Sequence, residues 1–214
     1  MFQGIGSLMV SGGVTGSAAF AWTQRASDDF AGHSFGEDLT VNSNWTRTLG
    51  AAQSIIYSGG TNVGINNGVG NCLYNYSGSV LSVQYSQFTM VTGSGGNPQL
   101  GCIVRCQAGP SCYLLYYNSD STVRLNKCNS GTFADIAGPT AKSYVNGNKL
   151  RLEVIGAGSA TRLTAYEDVG SGFVAIFSSI DPGGTYIDNG TPGLYGGSAN
   201  DLLRFDDWSG GDGA

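Results

Sequence analysis

From residue 28 onward, apolar and polar positions alternate in short runs, interrupted by Gly, Pro, Asn, Asp and Ser at intervals of roughly 8–14 residues. No stretch holds a helical apolar period without a glycine inside it. The pattern predicts strands near 38–42, 53–58, 71–76, 79–92, 100–107, 112–118, 121–128, 131–136, 148–156, 160–167, 171–179, 192–197 and 202–208. Turn chemistry separates them, as in Ala108-Gly109-Pro110, Asn118-Ser119-Asp120 and Asn146-Gly147-Asn148. The clearest part is a three-stranded meander built from Cys102–Cys106, Cys112–Tyr117 and Thr122–Lys127. The prediction is an all-β, two-sheet antiparallel sandwich.

Composition narrows the picture. Of 214 residues, 35 are Gly and only 12% are charged; the lysines are Lys127, Lys142 and Lys149, and the glutamates Glu37, Glu153 and Glu167. Scarce helix formers and abundant turn residues suit many short strands. A net charge of −5, with no cluster of Lys or Arg, argues against nucleic-acid binding, which depends on several adjacent cations. No continuous apolar run is long enough to span a membrane.

Residues 1–27 read as a Gly/Ser-rich arm or accessory strand, and 28–214 as the sandwich. The arm lacks the basic start of a signal peptide, and glycines break its apolar stretch, so it is expected to be retained. Its apolar residues Phe2, Ile5, Leu8 and Val10 are expected to dock either on the protein's own sandwich or on a neighbouring subunit.

Several segments in order resemble the concanavalin-like, laminin-G-like jelly roll. Asp28-Asp29-Phe30, Leu39, Trp45 and Ile55-Ile56 look like its opening, and Gly101–Asn118 like its Tyr-rich hairpin. Leu150–Gly156 with Leu163–Tyr166 resembles its late hairpin. Thr191–Tyr195 and Phe205–Trp208 resemble its closing strands, so that the likeness spans about residues 28–209. Hydrolases of that superfamily alternate carboxylates along one strand. Here Glu153 has Arg151 and Ile155 as same-face neighbours, and no Glu-x-Asp-x-Glu occurs. No catalytic residue is expected, and a polysaccharide hydrolase is the least favoured of three functions.

Candidate sites follow from chemistry. The resemblance implies adjacent first and last strands, which would gather Asp28, Asp29, Asp206 and Asp207 into a possible structural calcium site. The competing reading is turn and edge residues facing water. Tyr113, Tyr116 and Tyr117 are candidates for stacking on a sugar, against the alternative of core packing. Register places Cys106 opposite Cys112 and Cys112 near Cys128; the readings are a row of small buried residues or a Cys106–Cys112 disulfide. The single histidine, His33, has no nucleophile motif to serve, and no phosphate-binding glycine loop occurs.

Two functions remain. The first is a non-enzymatic virion surface protein, such as a phage capsid decoration, head fibre or minor tail component. It would form a homo-oligomer, with a trimer favoured, and bind a capsid or tail protein. The second is an extracellular carbohydrate-binding module.

Overall fold

The computed structural model describes residues 21–31, 37–50, 53–56, 63–66, 71–92, 99–142, 145–197 and 203–213. Phe2, Ile5, Leu8, Val10 and His33 lie outside them. The strands are β1 (Trp22–Asp28), β2 (Trp45–Leu49), β3 (Gln53–Ile56), β4 (Val63–Asn66), β5 (Cys72–Tyr76), β6 (Gln84–Thr92), β7 (Gln99–Gln107) and β8 (Ser111–Asn118). They continue with β9 (Thr122–Asn129), β10 (Thr132–Ala141), β11 (Lys149–Ile155), β12 (Arg162–Asp168), β13 (Phe173–Ile180), β14 (Thr191–Gly197) and β15 (Leu203–Gly213). Among the described residues no helix is long and apolar enough to cross a membrane.

The strands form two antiparallel sheets. Sheet A runs β13-β12-β11-β6-β15-β4-β3, with β1 added to β15; sheet B runs β10-β9-β8-β7-β14-β5-β2. The expected sandwich is therefore present. Between the sheets lies the main core, which includes Phe30, Trp45, Phe88, Tyr113, Tyr117, Leu152, Phe205 and Trp208. Burial of this apolar surface is the dominant stabilising term.

One local reading changes and another becomes specific. The segment 38–42 is a 3-10 turn, not a strand. The Asp38 carboxylate accepts from both the backbone N–H and the hydroxyl of Thr40, at 2.9 and 2.6 Å, and this side-chain capping outweighs the β propensity of Leu-Thr-Val. The end of the segment 1–27, read as an arm or accessory strand, forms strand β1, which runs on to Asp28. Arg25 Nε donates to the buried carboxylate of Asp212 at 2.8 Å, which pins β1 to β15.

The outer faces of the sheets differ. Sheet B carries a second buried cluster there: Leu73, Ile103, Cys106, Cys112, Leu114, Tyr116, Cys128 and Tyr195, flanked by Leu49 and Phe133. Phe133 of edge strand β10 and Tyr195 of β14 have ring centroids 5.9 Å apart. Across a flat sheet those strands would be about 19 Å apart. Sheet B therefore curls outward-face inward, closing apolar side chains over one another. Gly101 permits the curl, because a Cβ there would lie 2.1 Å from the Leu115 carbonyl oxygen.

Arg105 locks the end of this sheet. It lies in a β7 irregularity at φ 53°, fully buried. Its guanidinium donates to the carbonyls of Ser82, Ile187 and Gly156, so one charge ties together three loops.

Candidate functional site

The site arises where β15 changes partner. Arg204 and Phe205 pair with β4, whereas Trp208 to Gly213 pair with β1. Among the described residues, neither neighbour pairs with Asp206 or Asp207 on that side. The register with β6 also shifts between Asp206 and Ser209, and Asp207 adopts φ 45°, a left-handed conformation that Asp tolerates better than most residues. The result is a notch in sheet A. A cavity of about 480 Å³ fills it, lined by Gln24, Ser27, Asp29, Gln87, Lys149 and Asp207. Every one of these side chains can donate or accept a hydrogen bond.

Strand alternation extends the site across the sheet. Ser209, Gln87, Arg151 and Tyr166 stand side by side in register on the outer face. The next row holds Gly211, Tyr85 and Glu153. Glycine at 211 is required, since a Cβ would meet the Thr23 carbonyl oxygen at 2.1 Å and the Tyr85 ring at 2.8 Å. Tyr85 can therefore lie across β15 and meet Trp22 edge-to-face, with centroids 5.5 Å apart.

Arg151 organises this strip. Its guanidinium carbon sits 4.2 Å from the Tyr85 ring, 5.2 Å from Trp22 and 5.7 Å from Phe173. Nε pairs with Glu153 at 2.7 Å, and Nη1 donates to Gln87 Oε1 at 3.2 Å. Gln87 thus belongs to both the cavity and the aromatic strip. Burial pushes the Glu153 carboxyl up, opposed by the Arg151 charge. Asp206 at the notch is also raised, first by burial and then by the negative charges of Asp207 and Asp29.

A second cavity of about 320 Å³ lies on the other flank of β1, facing β2 and β5. Arg25, Asn44 and Tyr76 line it, and it shares Gln24, Ser27, Asp28 and Trp208 with the first. The Trp208 ring packs tilted against Trp45 and Tyr76, with centroids 4.6 and 6.1 Å away.

Pairing of β1 with β15 brings Asp28 and Asp29 to the cavity that Asp207 also lines, and Asp206 feels the charges of Asp207 and Asp29. Three of the four carboxylates accept hydrogen bonds from the protein. Asp28 accepts from Phe30 N and from Trp45 Nε1, both at 2.8 Å; Asp29 accepts from Ala31 N, and Asp206 from Asp207 N. Among the described residues no group of three or more His, Cys, Asp or Glu is placed to hold a metal ion.

The tyrosine expectation is corrected. Tyr113 and Tyr117 point into the main core, with Tyr113 Oη accepting from Ile187 N and Tyr117 donating to Glu167. Tyr116 points to the curled outer face of sheet B, where it is 9% exposed against Tyr195. None presents a ring face on which a sugar could stack.

The disulfide expectation is corrected too. Cys106 and Cys112 are free, buried thiols. The irregularity between Val104 and Gln107 borders Cys106, Cys112 stands opposite Cys128, and the three thiols form the row of small buried residues that was the other reading. Hydrogen bonding with Cys106 and Cys128 raises the Cys112 thiol. Sequence reasoning missed Gln24, Gln87 and Lys149. The signal for Gln87 and Lys149 was only their polar phase in alternating strands.

No protein-family model matches the chain, and no curated protein matches it. Solved structures do. A carbohydrate-binding module, CBM66 from Bacillus subtilis, aligns at 17% identity over 79% of this chain and 93% of its own, with a TM-score of 0.50. Lectin II from Ulex europaeus aligns at 10% identity over 88% and 99%, with a TM-score of 0.54. A GH43 protein from Bacillus licheniformis aligns at 12% identity over 88% of this chain but 39% of its own, with a TM-score of 0.50. The likeness shows the fold. This is a two-sheet antiparallel β-sandwich like those structures, and such a scaffold hosts many functions.

Proposed function

We propose that this protein is a non-catalytic carbohydrate-binding module that acts outside the cell and holds glycan on the outer face of sheet A. The observation that carries the reading is continuity. A polar notch with amide, hydroxyl, carboxylate and ammonium groups joins an aromatic strip through Gln87. A sugar offers hydroxyls around its rim and C–H groups on its faces, so it needs both kinds of surface side by side. The carbohydrate-binding and lectin folds among the similar structures support this reading over the virion-surface one.

Glycan-array screening followed by calorimetry on the best ligand tests it. Replacing Trp22 or Asp207 by Ala is expected to weaken binding at least about tenfold each, the order of one lost stacking contact or one charged hydrogen bond. Absence of binding to every glycan on the array would overturn the proposal.

A further inference from the structure

The second cavity adds information about the size of the ligand. It rests on the reading just given and concerns the same site. The two cavities lie on opposite flanks of β1 and share Gln24, Ser27, Asp28 and Trp208, so β1 is a ridge one strand wide between them. The width of such a ridge, about 4.8 Å, is comparable to one sugar unit in a chain. Among the described residues β1 pairs with β15 alone, and its exposed residues Gln24, Arg25 and Ser27 crown the ridge.

The far flank has a binding chemistry of its own. Asn44 is exposed with its amide available, and the half-buried Tyr76 ring backs onto Trp208. A monosaccharide fits one cavity and leaves the other empty. We infer that the ligand is an oligosaccharide or polysaccharide chain bound along its length, with successive units on either side of β1. The notch and aromatic strip hold one segment, and Asn44 with Tyr76 holds the next.

Calorimetry with the intact protein and cello-, xylo-, manno- and galacto-oligosaccharides of one to six units tests this. For the sugar that binds, affinity is expected to rise at least tenfold between the monosaccharide and the trisaccharide, then level off. Asn44→Ala, a surface change, and Tyr76→Ala should each reduce that ratio to twofold or less. Trp22→Ala should instead weaken all lengths together. Equal affinity for all lengths, with Trp22→Ala still weakening binding, overturns the chain inference and leaves the binding reading standing. An undiminished length dependence in Asn44→Ala and Tyr76→Ala overturns the assignment of the far flank. No binding by any of these sugars overturns both.

Discussion

Both sheets bury one face in the shared core, yet their outer faces have opposite characters. The outer face of sheet B is packed like an interior: Leu73, Ile103, Leu114 and Cys112 have no solvent exposure. That of sheet A alternates cleanly, with Lys149, Arg151 and Glu153 outward and Leu150, Leu152 and Val154 inward. Curling has closed one face, and the flatter, polar one is left for recognition. Tyrosines on the closed face serve stability. On the open face Tyr85 and Trp22 pack around Arg151, which reaches the cavity-lining Gln87.

The largest test of this contrast is Leu114→Ala. A Leu to Ala change in a packed interior costs about 3 kcal/mol, whereas Ile155→Ala on the outer face of sheet A, where the residue is 39% exposed, should cost under about 1 kcal/mol. Denaturant unfolding of both variants measures the difference, and equal costs would break the comparison.

Thiol chemistry probes the core and the closed face together. In the main core burial pushes the Cys72 thiol up to about 11 and Cys102 to about 12, and on the closed face Cys106, Cys112 and Cys128 are buried together. Iodoacetamide at pH 8 should therefore label the native protein roughly a hundredfold more slowly than the unfolded chain, read by intact mass. Rapid labelling of Cys112 or Cys128 would show that the face opens.

A smaller effect is expected at the notch. The Asp206 carboxyl is raised in the folded state, so its ionised form disfavours folding, and that penalty fades as pH falls through its raised value. Asp206→Asn keeps the acceptor for Asp207 N and removes the charge. Melting at pH 7 should rise by about 1–2 °C, with the gain shrinking toward pH 4. A lower melting temperature at pH 7 would contradict the electrostatic account of the notch.

This distinction was legible in the chain in part. Cys102–Cys106 and Cys112–Tyr117 are nearly continuous apolar runs, the mark of strands buried on both faces, while Leu150–Ile155 and Leu163–Tyr166 alternate. Those patterns identify the solvent-facing sheet. They gave no hint of the notch, because it depends on where β15 exchanges β4 for β1, and partner exchange is a long-range event. Nor could they show the register shift at Arg105, or the capping by Asp38 that turns 38–42 away from strand.

The central claim is that glycan is held on the outer face of sheet A. Titrating an isotopically labelled sample with the best array ligand, and mapping amide and indole shifts by NMR, tests it most directly. The account predicts that the Trp22 indole and the Gln24 and Gln87 side-chain amides move, while Tyr116 and Asn126 on sheet B stay still. Shifts confined to Tyr116, Asn126 and their neighbours would contradict it.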